Sequence, residues 1–201
     1  MTLLHFKAGN HPQQTAKGKG DPEKDERYTP RALIEAIHAD WRFTVDACGC
    51  AAAPASGVIG RWWDKTTNGL NQPWAGETVW ANVPFSDCWA WIARAWREKA
   101  RVCLMMPANR TEQPGWQEMV EPYRDQMDGV LRTMNLPGKY QNVLLPGSRP
   151  GRVRRLPGRI PFGTPKHPDG GKWGSSAPFG CVLLMWPTPW RPDWAPVKSR
   201  P

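Results

Sequence analysis

Two short apolar runs, Thr78 to Ala81 and Arg101 to Met106, flank a stretch with helical spacing, and this arrangement constrains the fold more than anything else in the chain. Each run has the length and composition of a buried strand. Between them, Asp87 stands where a helix cap belongs, with Trp89, Ile92, Ala93 and Trp96 at helical intervals and a polar Arg-Glu-Lys end. Strand, helix, strand is the repeating unit of an α/β sheet. Pro107 closes the second strand.

The same alternation extends outward from this centre. Thr29-Pro30 opens a helix on sequence grounds, with Thr29 at the N-cap, Pro30 at the first helical position, and Leu33, Ile34 and Ile37 on one face. Arg42 to Ala47 reads as a short strand running into the loop Cys48-Gly49-Cys50. Pro114 to Val120 reads as a short helix. Further strands are expected at Gly129–Thr133, Arg152–Leu156 with Arg159–Phe162, and Gly180–Trp186, so hairpins replace helices late in the chain. Residues 1–26 read as a mobile polar tail, 27–186 as one domain, and 187–201 as a Pro-rich extended tail.

Charge is distributed unevenly. From Leu131 onward there are 12 Lys or Arg against two acids, whereas residues 1–130 hold 15 bases and 16 acids. A near-neutral half joined to a strongly basic one implies a polyanionic partner held by the second half. The candidate contacts are Arg149, Arg152, Arg154, Arg155, Arg159, Lys166 and Lys172, within a basic segment at about 136–175. The 13 tryptophans offer flat apolar surface for a core or for stacking on bases. The alternative for the charge is plain solubility.

Other classes are excluded. There is no apolar run of membrane-spanning length and no secretion signal. The five cysteines form no CxxC pair, and no histidines stand at zinc-ligand spacing, so neither a metal site nor a disulfide framework is expected. Free thiols suit a cytoplasmic protein.

Asn82-Val83-Pro84-Phe85 carries the chemistry. It follows the apolar strand and therefore falls at the carboxyl edge of the sheet, where α/β folds bind ligands. The amine of adenine is a poor nucleophile because its lone pair is delocalised into the ring. Two acceptors aimed at its N–H groups pull the nitrogen toward tetrahedral geometry and stabilise the charge that develops. An Asn side-chain oxygen and the next main-chain carbonyl can do this together, with a rigid Pro holding the turn and an aromatic ring stacking on the base.

With those residues in view, the chain resembles the phage-type DNA N6-adenine methyltransferases (Dam) over roughly Arg27 to Trp186. The resemblance rests on Tyr28-Thr29-Pro30, Thr44-Val45-Asp46-Ala47-Cys48-Gly49, Asn68-Gly69-Leu70 with Trp74, Asn82–Phe85, Gly158-Arg159-Ile160-Pro161-Phe162 and Ser176-Ala177-Pro178-Phe179. It implies a Rossmann-like class I S-adenosylmethionine-dependent methyltransferase sheet with a basic, hairpin- and loop-rich C-terminal part. It also implies double-stranded DNA as substrate, protection of phage DNA from restriction, and catalytic roles for Asn82, Val83, Pro84 and Phe85. The family tetrapeptide is usually Asn-Pro-Pro-Tyr or Asn-Pro-Pro-Phe. Val83 departs from it, keeping the carbonyl while adding an N–H, and residue 83 stays biased to an extended conformation by Pro84. On this reading Val83→Pro keeps or raises activity.

The resemblance also implies a cofactor site for S-adenosylmethionine. Asp46-Ala47-Cys48-Gly49 matches the family's Asp-Pro-Ala-Cys-Gly loop, in which glycine permits close approach and the carboxylate faces the methionyl ammonium. Thr29 and Pro30 would lie near the methionine end. Asn68, with Asp64 as the alternative, would accept from the cofactor's adenine amine. Two other functions remain open at this point: methylation of RNA or a protein amide, and a non-catalytic DNA-binding relative. The recognition sequence and the oligomeric state are not legible.

Overall fold

In a computed structural model the described residues are 25–98, 100–121, 153–155, 160–169, 175–176 and 180–186. Five strands form one sheet: β1 (Val45–Asp46), β2 (Thr78–Asn82), β3 (Arg101–Pro107), β4 (Val153–Arg155) and β7 (Cys181–Trp186), in the order β1-β2-β3-β7-β4. The first three run parallel, while β7 is antiparallel to both β3 and β4. A separate ribbon pairs β5 (Pro161–Phe162) with β6 (Ser175–Ser176). The helices are α1 (Arg31–Trp41), α2 (Pro54–Ile59), α3 (Cys88–Glu98) and α4 (Pro114–Met119), and Gly69–Asn71 forms a 3-10 turn.

The two-residue period of a strand sorts the core into two layers. Val79, Ala81, Val102, Leu104, Met106, Val182 and Leu184 face α3 and α4 on one side. Trp80, Cys103, Met105, Cys181, Leu183 and Met185 face α1 on the other. Every residue of β7 is buried, as a central strand covered on both faces requires. Trp74, Trp80, Trp116 and Trp186 are fully enclosed, so these four tryptophans serve the core rather than the surface.

Several local expectations change. Pro30, not Thr29, is the N-cap of α1: its ψ of 136° is extended, and its carbonyl accepts from Leu33 N at 3.0 Å and Ile34 N at 3.1 Å. A proline at the cap loses nothing by lacking an N–H, which frees Thr29 to be buried instead. The helix runs to Trp41, and Arg42 ends it in a left-handed conformation (φ 54°) with its N–H on His38 O. That shortens the strand expected at 42–47 to Val45–Asp46.

In α3 the buried face is Cys88, Trp91, Ile92, Ala95 and Trp96, one residue around from the expected stripe, with Trp89 and Ala93 only partly covered. The strand expected at Gly129–Thr133 lies outside the described residues, as do residues 1–24 and 187–201 of the two expected tails. Among the described residues no helix is long and apolar enough to cross a membrane.

Candidate active site

The chain reverses direction across the sheet at β1. After β1, α2 leads to residues 61–63, which lie along the outer edge of β1: Asp46 N donates to Arg61 O and Trp63 N to Asp46 O, both at 2.9 Å. Trp62 thereby bridges Asp46 in parallel. The chain then crosses back to β2 on the other side of β1. Loops leaving neighbouring strands in opposite directions open a crevice at the strands' carboxyl ends. A cavity of about 830 Å³ lies there, within the range of small-molecule sites.

Ala47, Cys48 and Gly49 line this cavity directly after β1. Asp46 does not. Its side chain is 2% exposed and turned beneath the loop, where it accepts from Ser56 Oγ at 3.0 Å and Cys48 N at 3.2 Å. Burial, with no cationic partner among the described residues, pushes its carboxyl up to about 7, against a partial pull downward from those two hydrogen bonds. Ser56 also accepts from Cys50 N at 3.0 Å, so one carboxylate and one hydroxyl hold the loop from behind. Gly49 is packed closely enough that a Cβ there would meet Ser56, Trp62 and Asp46.

Opposite this loop runs the segment 63–70. Asp64 accepts through Oδ1 from Thr66 N (2.8 Å) and Thr67 N (2.9 Å), which winds the turn and holds its carboxyl below the usual carboxylate range. Asn68 takes a left-handed φ of 49° and caps the 3-10 turn, its Oδ1 accepting from Leu70 N at 3.0 Å. Both residues line the cavity, as the sequence suggests. Gly69 is pressed onto β1's loop: a Cβ there would run into the Ala47 carbonyl and crowd the Trp91 ring. Trp74 fixes the turn by donating from Nε1 to Gly69 O at 2.9 Å.

Asn82 ends β2 and lines the cavity between these walls. Its Nδ2 donates to the carbonyl of Arg27. A carbonyl can only accept, so this bond settles which way the amide faces and leaves Oδ1 as the free end. That oxygen is enclosed and has no partner among the described residues. An enclosed acceptor left unpaired costs about 1–3 kcal/mol, and such atoms in a native fold call for an explanation.

The remaining members of the tetrapeptide divide. Pro84 lines the cavity, and its carbonyl accepts from Asp87 N at 3.1 Å to start the turn into α3. Val83 is 2% exposed with its side chain in the core, and its N–H is not idle: it donates to Met105 O at 3.2 Å and extends the ladder with β3. Phe85 does not line the cavity. Its ring meets Phe162 edge-on, with centroids 5.9 Å apart. Cys88 is fully enclosed, and burial pushes its thiol up, which makes it a poor nucleophile.

Thr29 and Pro30 stand just behind the cavity-lining Tyr28, and the Thr29 hydroxyl is enclosed without a partner among the described residues. Of the basic candidates, Lys166 is exposed in the turn at 164–167, next to cavity-lining Pro165. Arg154 and Arg155 fall in β4, where only the backbone is described. Arg149, Arg152, Arg159 and Lys172 lie outside the described residues.

Sequence reasoning missed one wall entirely. Asp25 and Glu26, expected in the tail, line the cavity together with Arg27 and Tyr28. This strap is tied to Ser86 through Asp25, to Lys65 through Glu26, and to Gly163 through a two-bond bridge with Tyr28. Trp63 and Trp91 were likewise unforeseen as lining residues. Among the described residues no cluster of His, Cys, Asp and Glu could hold a metal ion.

The family model for DNA N-6-adenine-methyltransferase (Dam) matches residues 17–192. No curated protein matches the chain, and no solved structure does.

Proposed function

The chain belongs to the DNA N-6-adenine-methyltransferase (Dam) family, and from that premise we propose that it methylates N6 of an adenine turned out of double-stranded DNA, with S-adenosylmethionine as donor. The observation that carries this reading is Asn82, which lines the cavity and whose enclosed Oδ1 has no partner among the described residues. An adenine amine has two N–H groups to give and needs acceptors to become nucleophilic. Asn82 Oδ1 accepts one, and the Val83 carbonyl the other. Drawing both protons toward fixed oxygens takes the lone pair out of the ring and stabilises the positive charge that grows on nitrogen.

The cavity suits the donor. Its volume, the glycine-permitted contact of Gly69 with Ala47, and the polar residues Asp64 and Asn68 at one end are compatible with a nucleoside of that size. When bound, S-adenosylmethionine supplies an electrophilic methyl on a sulfonium. Ala47, Cys48 and Gly49 would hold it from one side, Asp64 and Asn68 from the other, and the Thr29 hydroxyl is a further group without a partner among the described residues. Asp46 acts from behind, by holding the loop at 47–50 in shape. No residue of the protein is alkylated in this reading, which fits the buried Cys88.

We read the sheet as Rossmann-like, because its ligand crevice lies where the strand order reverses and helices cover both faces. The basic residues Arg149, Arg152, Arg154, Arg155, Arg159, Lys166 and Lys172 would neutralise phosphates as the duplex docks. Phe85, held by Phe162 at the edge of the tetrapeptide, is the stacking candidate for the extruded base.

Transfer of labelled methyl to duplex DNA, to RNA and to protein, measured side by side, tests the proposal. Label in adenine of DNA alone is the expected result. Transfer only to RNA or protein, or none despite cofactor binding, overturns it.

A further inference from the structure

We propose that Pro107 is a positioning residue for methyl transfer: by lacking an N–H, it leaves the Val83 carbonyl unpaired at the end of the β2–β3 ladder. This deepens the reading above, since it rests on Val83 O as the second acceptor for the amine.

The argument is one of register. Asn82 pairs with Met105 across parallel strands, and Val83 N donates to Met105 O at 3.2 Å. In a parallel ladder the next bond in this direction runs from the N–H of residue 107 to the carbonyl of residue 83. The other neighbour of β3 agrees. Pro107 stands opposite Cys181 in β7, while Ala108 N donates to Gly180 O at 2.8 Å. In an antiparallel pair this makes 107 and 181 a non-bonded pair, so position 107 directs its nitrogen away from β7 and toward β2.

Any other residue at 107 would therefore close the ladder onto the Val83 carbonyl. Proline cannot donate. A proline inside a sheet is ordinarily confined to edges and bulges; Pro107 is enclosed, paired with Cys181 of β7 on one side, and on the other it lies just past the last β2 pair, Asn82 with Met105, where Val83 continues the chain. Its position is accounted for if an empty donor site is what the chemistry needs. The carbonyl keeps its lone pairs for the substrate, and the strand still ends firmly at Ala108.

The test compares two replacements. Pro107→Ala introduces the N–H. Its expected effect is a fall in kcat of about 10²-fold, the scale of one lost transition-state hydrogen bond, with the Kd for S-adenosylmethionine unchanged and the melting temperature equal or higher. Amide 107 in this variant should be protected from hydrogen exchange. Replacement of Pro107 by N-methylalanine, introduced by cell-free translation, has neither ring nor N–H and should return kcat to within a fewfold of wild type. A merely structural proline would not be rescued in this way.

Wild-type kcat in Pro107→Ala, an unprotected amide at 107, or an N-methylalanine protein as slow as the alanine variant each overturns the proposal. Asn82→Ala separates this from the parent reading. If Asn82→Ala is dead and Pro107→Ala is fully active, only the role of Pro107 falls; if Asn82→Ala retains full activity, both fall.

Discussion

Asn82 and Arg27 stand 55 residues apart in the chain, yet the side-chain amide of the first donates to the main-chain carbonyl of the second and so fixes which end of the amide is left as oxygen. The amide cannot rotate by half a turn without facing oxygen against oxygen.

Asn82→Ala follows from this directly. The variant should lose about 10²–10³-fold in kcat, because the missing acceptor matters chiefly in the transition state. Cofactor affinity by calorimetry should stay unchanged. Stability should hold within about 1 kcal/mol, since the lost bond to Arg27 is offset by removal of an unsatisfied oxygen. Methylation at the wild-type rate would show that the amine is held elsewhere.

Val83→Pro should cost stability, which the family pattern alone does not suggest. The Val83 N–H bonds to Met105 O and its side chain is in the core, so proline removes a ladder bond and buried methyl groups together. A loss of about 1–3 kcal/mol in unfolding free energy is expected. The folded fraction should remain active, because the carbonyl survives. Urea titration alongside single-turnover rates checks both halves, and an unchanged midpoint would contradict the ladder assignment.

Gly69→Ala probes the seam between the two loops that line the cavity at 47–49 and 68–70. A methyl at 69 must push the Ala47 carbonyl and the Trp91 ring aside. Overpacking of this kind costs about 1–3 kcal/mol. Binding of S-adenosylmethionine should weaken at least tenfold, as the 68–70 turn moves relative to residues 47–49. A variant that binds like wild type would mean the cavity's ligand does not touch that seam.

Asp46 gives the protein a pH signature. Its carboxyl is ordinarily near 3.8 and is pushed up to about 7 in the fold, so the native state binds its proton more tightly than the unfolded state does. The resulting stabilisation is complete below about pH 4 and is lost as pH rises through 7, by about 4 kcal/mol in all. Asp46→Asn cannot ionise, and its single amide oxygen keeps the acceptor for Cys48 N while its NH2 faces Ser56 Oγ, which can turn to accept from it. The stability of wild type minus that of Asp46→Asn should therefore fall steadily between pH 4 and 8. Parallel curves would show that the carboxylate is compensated by a charge.

The centre of the fold was legible in the sequence because strand and helix periods are local. Thr78–Ala81, Arg101–Met106 and Gly180–Trp186 lie within a residue or two of the observed strands. The short helix Pro54–Ile59 went unread although its signals were present: Pro54 at its first turn, and Gly60 in a left-handed cap at φ 84°. Asn82 and Asn68 were placed by motif, with Asp64 as the alternative to Asn68, and all three line the cavity. The wall formed by Asp25 to Tyr28 was not legible. Nothing local marks a polar segment as part of a site when its partners, Lys65, Asn82, Ser86 and Gly163, are 39 to 135 positions away. Asp46 was read as facing the ligand because sequence gives the strand's end but not which way the last side chain turns.

The strap has a bearing on when the protein becomes competent. A chain that has assembled only its sheet holds Asn82 at the right height but with its amide free to swivel. The orientation arrives when Arg27 settles on it, and Arg27 is anchored in turn through Tyr28 and Gly163, near opposite ends of the described chain. On the proposed function, a molecule that had not closed this bridge would carry every reacting group with the amide still unaimed.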